Sequence, residues 1–119
     1  MLAPWLSNKT PEIVASWITQ LNSSLLVAVE GDTILGVGAV ADKGEITLNY
    51  VSPDARFRGV SRGLLRALEA RARERGNTRC HLLSTETAHR FYLAAGYRDD
   101  GPPQRKFGTA SSYPMSKQL

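Results

Sequence analysis

The sequence predicts an α/β fold in which a mixed, mostly antiparallel central sheet carries helices on both faces. Two apolar runs lie on either side of Gly31-Asp32, a dipeptide typical of the tight turn of a β-hairpin. Farther along the chain, apolar residues recur at helical spacing between Ser61 and Arg75. The chain has 119 residues, of which 42% are hydrophobic and 22% charged, as expected for one globular domain covering 1–119.

Local signals then place the individual elements. Thr10 as N-cap and Pro11 at the first helical position predict an opening helix, while Thr85 and Gly96 are the expected caps of the last one. Three helices follow: Thr10–Leu21, Ser61–Arg75, and one between Thr85 and Gly96. Five strands are predicted: Leu25–Glu30, Ile34–Ala41, Glu45–Val51, Arg79–Ser84 and Tyr113–Lys117.

The turn that joins the third strand to the second helix has the features of a phosphate site. Pro53 lacks an N–H and cannot continue a strand ladder, and Gly59 has no Cβ to hinder a tight turn or a ligand. The free N–H groups and the dipole of a helix N-terminus attract anions, and nearby arginines add positive charge. The turn is therefore a predicted pyrophosphate cradle. A nucleotide P-loop and a dinucleotide fingerprint are excluded, because neither Gly-Lys-[Ser/Thr] nor G-x-G-x-x-G occurs here.

This turn resembles the acetyl-CoA-binding motif of the GCN5-related N-acetyltransferase (GNAT) superfamily. The family pattern is V-x-P, then [RQ]-x-x-G-x-[GA], then paired leucines; the chain has Val51-Ser52-Pro53, Arg56-Phe57-Arg58-Gly59-Val60-Ser61 and Leu64-Leu65. Ser61 replaces the usual Gly or Ala, but it is small and still presents a backbone N–H. The resemblance implies that acetyl-CoA is bound by Val51, Ser52, Arg56, Phe57, Arg58, Gly59, Val60, Ser61, Arg62, Thr85 and Tyr92.

A second match lies downstream, in the order that the family shows. The segment Thr85–Tyr97 resembles N-x-x-A-x-x-F-Y-x-x-x-G-[FY], with matches at Ala88, Phe91, Tyr92, Gly96 and Tyr97. Thr85 stands where the family usually has Asn; it keeps a hydroxyl but loses the reach of the amide. With both motifs, the resemblance covers roughly residues 25–117.

The resemblance implies transfer of an acetyl group from acetyl-CoA to an amine acceptor of unknown identity. The pantetheine arm would lie between the strands Glu45–Val51 and Arg79–Ser84, splayed apart at a bulge. The N–H near Val51 is the expected donor to the developing oxyanion. Tyr92 is the expected general acid for the departing thiolate, since a phenol has a pKa near ~10 and a thiol near ~8.5.

The candidate base is Glu45, which lies six residues before Val51 on the same strand. This spacing matches the catalytic glutamate of the histone-acetylating branch of the family, and strand alternation places Glu45 on one face with Thr47, Asn49 and Val51. A solvated surface carboxylate is the alternative for Glu45, and a packed core tyrosine is the alternative for Tyr92. For the whole chain, the alternative is a non-catalytic acyl-CoA-binding or interaction domain that kept the fold.

Composition bounds the partners. The net charge of +4 and an arginine-rich second helix suggest nucleic acid, but the arginines surround the helix without an aromatic platform, so nucleic-acid binding is not expected. No apolar run reaches membrane length, and no ligand cluster predicts a metal. The single cysteine, Cys80, excludes an internal disulfide and agrees with a cytoplasmic location.

A homodimer is also expected. Compared with the family, the chain lacks the usual opening strand and helix before Thr10. An apolar stripe on the predicted helix Thr10–Leu21 would then be left partly uncovered, and such surface commonly marks an interface. The stripe consists of Ile13, Val14, Trp17, Ile18 and Leu21.

Overall fold

The structure is a computed structural model that describes residues 13–53, 59–104 and 112–119. The strands in these ranges are β1 (Ile13–Gln20), β2 (Ser23–Glu30), β3 (Thr33–Ala41), β4 (Ile46–Val51), β5 (Arg79–Thr85), β6 (Arg98–Asp99) and β7 (Ser112–Gln118). The helices are α1 (Val60–Glu74) and α2 (Glu86–Ala94). All five predicted strands and the last two predicted helices are confirmed. None of the described helices is long and apolar enough to cross a membrane.

The strands form two sheets that meet at only one end. The first has the order β1-β2-β3-β4 and the second β5-β7-β6, and neighbouring strands within both are antiparallel. All residues of β4 and β5 are described. The pairing between these two segments is a single parallel bridge from Glu45, the residue before β4, to His81 in β5. There the His81 N–H donates to the Gly44 carbonyl at 3.1 Å. The two strands therefore diverge toward the end of β4, and the predicted opening between them is confirmed.

Helix α1 lies against the first sheet because β3 has glycines at the points of closest approach. A Cβ on Gly36 would lie 2.8 Å from Cδ1 of Leu64, and one on Gly38 would lie 2.9 Å from Cδ1 of Leu68. Both leucines are fully buried, together with Leu65 on the same helix. Burying such a side chain contributes about 1.5–3 kcal/mol, so this contact fixes α1 against the sheet.

Both described helices lie on the same face of the sheets. In β7, Lys117 bonds Glu69 of α1, and Tyr113 stacks on His89 of α2 with ring centroids 3.9 Å apart. Tyr113 and Lys117 are four residues apart on one strand, so their side chains point to the same face. The opposite face carries no helix within the described ranges, and its apolar residues Ile18, Leu48 and Tyr50 are 49%, 42% and 52% exposed.

The predicted helix Thr10–Leu21 is wrong for the part that the structure describes. Residues 13–20 form β1, an edge strand paired with β2 from Ile13–Glu30 to Gln20–Ser23. Asn22, with φ of 63°, closes this hairpin, because asparagine tolerates the left-handed conformation better than most residues. The first half of the helix prediction, including Thr10 and Pro11, lies outside the described residues. Strand pairing overrode a helix-like spacing of apolar residues, and the helical stripe that supported a homodimer does not exist.

Candidate active site

The opening between β4 and β5 is lined by the free edge of β4. The Ser52 N–H donates to the Leu35 carbonyl at 2.8 Å, across the ladder with β3. Successive backbone N–H groups point to opposite edges of an antiparallel strand, so the N–H of Val51 points away from β3 and into the opening. This is the position that the sequence predicts for the oxyanion donor. The backbone N–H of Ser52 is already bonded to Leu35 of β3, so it is not available to a ligand in the opening.

At the end of the opening, α1 begins without a side-chain cap. Gly59 is its N-cap, has φ of 76° and forms no side-chain capping bond, and the first turn contains no acidic residue. Among the described residues, a Cβ at Gly59 would meet no atom within 4 Å. The first N–H groups of a helix have no partner within it. This end of α1 therefore has the free donors and the positive field that an anion requires.

The residues of the predicted cradle contribute in different ways. Val60 is buried at the first position of α1, so of the groups of this residue the backbone N–H is the one left to contact a ligand. Ser61 is half-buried and Arg62 is exposed beside it. Arg56, Phe57 and Arg58 lie outside the described residues.

The Tyr92 side chain reaches from α2 to β4 across the opening. Its hydroxyl accepts a hydrogen bond from Nδ2 of Asn49 at 3.3 Å, although 43 residues separate the two in sequence. The ring is 7% exposed and packs edge-on against Phe91 and Tyr97, with centroids 5.1 and 5.6 Å away. Burial raises the pKa of Tyr92, while the bond from Asn49 lowers it. The phenol is therefore protonated at neutral pH and held at the opening.

The caps of α2 fix the direction in which Tyr92 points. Thr85 ends β5 and caps the helix, its Oγ1 accepting from the Ala88 N–H at 3.2 Å. At the other end, Gly96 has φ of 99°, and the Tyr97 N–H donates to the Tyr92 carbonyl at 3.0 Å. With the bond from the Gly96 N–H to the Leu93 carbonyl at 3.1 Å, this last bond forms a Schellman motif. The predicted caps at Thr85 and Gly96 are both confirmed. Thr85 therefore has a structural role whether or not it also contacts a ligand.

A buried polar network lies behind Tyr92. Tyr97 donates to Oε2 of Glu69 at 2.9 Å, and Lys117 donates to Oε1 of the same carboxylate at 3.2 Å. The network joins Glu69 of α1, Lys117 of β7 and Tyr97, which directly follows the C-terminal capping glycine Gly96 of α2. Burial, followed by the nearby Glu69, raises the pKa of Tyr97, and burial also raises the pKa of Cys80 to about 11. Cys80 is thus a buried neutral thiol, as its position in a strand predicts.

Glu45 does not reach Tyr92. It lies at the junction of the two sheets, paired with His81, and its side chain is exposed. At about 3.3 Å per strand residue, the four residue steps from Glu45 to Asn49 span roughly 13 Å. The predicted shared face is confirmed for Asn49 and Val51, which lie opposite Gly38 and Gly36, but it is wrong for Glu45. The reason is that β4 has an extra residue at Thr47, between the pairs Val40–Ile46 and Ala39–Leu48. This bulge reverses the alternation.

Strand alternation predicts the face on which Asn49 lies, but it does not predict the hydrogen bond from Asn49 to Tyr92. A polar residue in an otherwise apolar, inward-facing row is the available signal, and its partner lies on a distant helix. No group of three or more metal-ligating side chains occurs in the part of the chain that the structure describes.

Comparison with known proteins agrees with these features. A family model described as an acetyltransferase (GNAT) domain matches residues 5–119. Over 80 residues, the chain is 35% identical to an amino-acid acetyltransferase from Azotobacter vinelandii, a match that covers 67% of this chain and 18% of that protein. The chain therefore belongs to the GNAT acetyltransferase family.

Solved structures show the same fold. A GCN5-related N-acetyltransferase from Rhodopseudomonas palustris superposes with a TM-score of 0.74 at 25% identity, covering 82% of this chain and 62% of that one. A GNAT family acetyltransferase from Elizabethkingia anophelis, crystallised with acetyl-CoA bound, gives a TM-score of 0.72 at 12% identity. That match covers 92% of this chain and 100% of the other. The chain spans less than two thirds of the R. palustris protein, whereas the E. anophelis match shows the fold at full length.

Proposed function

We propose that this protein transfers the acetyl group of acetyl-CoA to an amine. The observation that carries the proposal is the edge of β4 at the opening toward β5, where the Tyr92 hydroxyl is bonded to Asn49 and the Val51 N–H lies two residues farther along the strand. Family membership supports the reaction class, and a structural relative contains acetyl-CoA. The uncapped end of α1 fits the pyrophosphate of that substrate.

In the proposed reaction, the neutral amine attacks the thioester carbonyl carbon and forms the C–N bond. The Val51 N–H stabilises the negative charge that develops on the carbonyl oxygen. The attacking nitrogen loses a proton to solvent, the C–S bond breaks, and the Tyr92 hydroxyl gives its proton to the leaving thiolate. The Tyr92 phenolate then regains a proton from solvent, so the products are the amide and free CoA thiol. Because burial raises the pKa of Tyr92, the proton is present at neutral pH, and the Asn49 bond offsets part of the loss in acidity.

We propose Glu45 as the group that accepts the proton of the ammonium, through intervening water. Its exposed carboxylate at the junction of the sheets supports a relay rather than direct contact. Glu45→Gln should lower kcat/KM mainly at the acidic end of the pH profile, where fewer acceptor amines are already neutral. An unchanged profile would remove Glu45 from the mechanism.

The test of the function is release of free thiol from acetyl-CoA in the presence of a broad panel of amines. Turnover with at least one amine, lost in Tyr92→Phe, supports the proposal. Binding of acetyl-CoA without turnover on any amine supports the alternative, a non-catalytic acyl-CoA-binding or interaction domain. The same panel of amines would identify the acceptor.

We also propose that the protein is a homodimer formed through the open face of the first sheet, and that it is cytoplasmic, in agreement with its unpaired Cys80. The paired positions of this face form two rows across the strands: Ser16, Val27, Val37 and Tyr50, and Ile18, Leu25, Ala39 and Leu48. None of them is charged, so the face is complementary to a second copy of itself.

Sedimentation at micromolar concentration should show twice the mass of the chain. Tyr50→Lys should yield the monomer, because a charge would be buried in the interface. Leu93→Lys is the matched control: Leu93 is 44% exposed but lies on α2, so the dimer should persist. A wild-type monomer would overturn this assembly and leave the face to another segment or partner.

A further inference from the structure

We propose that Asn49 is a positioning residue that directs the proton of Tyr92 toward the leaving sulfur. This inference rests on the proposed function, in which Tyr92 is the general acid. The Asn49 Nδ2 group donates to the Tyr92 hydroxyl oxygen at 3.3 Å. A phenol has one O–H and can accept through its lone pairs. Accepting from Asn49 commits the lone pair on that side, so the O–H must point elsewhere.

The β-bulge explains how Asn49 comes to face Tyr92. Ile46 is buried and lies opposite Val40, whereas Asn49 lies opposite Gly38 and Val51 opposite Gly36. With regular alternation from Ile46, position 49 would point to the other face. The extra residue Thr47 therefore turns Asn49 inward. Bulges are frequent next to active sites, where they redirect a side chain.

The other polar atom of the Asn49 amide, Oδ1, indicates that Asn49 does not serve to stabilise the folded state. Asn49 Oδ1 is buried and has no hydrogen-bond partner in the described part of the chain. A buried acceptor without a partner destabilises the folded state, so an apolar residue would pack here at lower cost. The amide is retained at an inward-facing position where only its donor is used, and that donor contacts the proposed acid.

The same bond affects the acidity of the phenol. Donation from Asn49 lowers the pKa of Tyr92, against the larger effect of burial. The titratable group packed against the Tyr92 ring is Tyr97, with Glu69, Lys117 and Cys80 behind it. Removing the Asn49 donor should therefore move the Tyr92 pKa further upward and make it a weaker acid.

Two substitutions separate positioning from packing. In Asn49→Asp, the carboxylate accepts the Tyr92 O–H, so kcat should fall by about 10²-fold, as expected for loss of a general acid. In Asn49→Leu, which keeps the burial but removes the donor, kcat should fall by about 10-fold. The alkaline limb of the kcat profile should also move to higher pH. Thr33→Ala, an exposed change on the neighbouring strand β3, is the control and should leave kcat unchanged.

Double variants and a spectroscopic titration complete the test. In a Tyr92→Phe background, neither Asn49 substitution should lower kcat further, because the two residues act as one unit. Ultraviolet titration of tyrosinate, with Tyr92→Phe as the reference, should show a higher Tyr92 pKa in Asn49→Leu even without turnover. If Tyr92→Phe is impaired while both Asn49 variants keep full kcat and the wild-type phenol pKa, the positioning role is wrong and the acid stands. If Tyr92→Phe has full kcat, the proposed acid itself fails.

Discussion

The two described helices have similar C-termini and different N-termini. We relate this difference to two roles, the proposed binding of an anion at α1 and the positioning of Tyr92 by α2. Both finish in a glycine with positive φ, Gly76 at 91° and Gly96 at 99°. Helix α2, however, starts at Thr85, whose hydroxyl satisfies the Ala88 N–H, and has an acidic residue in its first turn. Helix α1 starts at Gly59, with no side-chain cap and no acidic residue in the first turn. The N-terminus of α2 is satisfied by its own chain, whereas that of α1 has no side-chain cap, and we propose that an external anion binds there.

The largest expected effect comes from placing a carboxylate at the uncapped end of α1. Gly59→Glu adds both bulk and negative charge where the pyrophosphate is proposed to lie, so acetyl-CoA affinity should fall by about 100-fold or more. Isothermal titration calorimetry measures this, and wild-type binding should weaken with added salt. Gly31→Glu is the matched control, because Gly31 also has positive φ but lies in a distant hairpin. Equal binding by Gly59→Glu and wild type would mean that the anion lies elsewhere.

The next effect concerns the side chain that the capped helix presents. Tyr92→Phe should lower kcat by about 10²-fold and leave acetyl-CoA affinity nearly unchanged, because the phenol acts only as the thiolate leaves. Tyr113→Phe, a change on the neighbouring strand, should retain kcat. Steady-state kinetics with any acceptor from the amine panel decides this. A raised KM with unchanged kcat would instead make Tyr92 a binding residue.

The third effect tests the buried polar network that joins Glu69 of α1 to Tyr97, just after α2, and to Lys117 of β7. Glu69→Ala leaves Lys117 and the Tyr97 hydroxyl without their buried partner, so the free energy of unfolding should fall by about 2–3 kcal/mol. Glu74→Ala, which removes an exposed pair with Arg71, should cost less than about 0.5 kcal/mol. Urea denaturation measures both. Similar values for the two variants would show that the network contributes nothing beyond a surface ion pair.

The elements near the site were predictable because each carries its own local signal. Gly59, Thr85 and Gly96 act through the backbone within a few residues, so their roles are visible in the sequence. The two motifs also identify the strands that diverge.

What could not be predicted depends on pairing between distant segments. Residues 13–20 have apolar residues at helical spacing but form β1, because the hairpin at Asn22 offers β2 as a partner. The bulge at Thr47 depends on register with β3, and it moves Glu45 off the face that Asn49 and Val51 share. No periodicity within β4 reveals an extra residue. The site errors therefore follow from register and not from misjudged chemistry.

The smallest effect sharpens the contrast between the two helix starts. Thr85→Ala removes the cap of α2 and should lower the free energy of unfolding by about 1 kcal/mol, while Thr85→Ser keeps the oxygen and should restore most of it. Thr87→Ala, an exposed change in the same turn, should have little effect on stability. Because fraying would be confined to the first turn of α2, whereas Tyr92 lies in its last turn, kcat of Thr85→Ala should change little and acetyl-CoA should still bind at α1. If Thr85→Ala instead loses acetyl-CoA affinity with full stability, Thr85 is a ligand contact rather than a cap, and the two helix starts are less different than their geometry indicates.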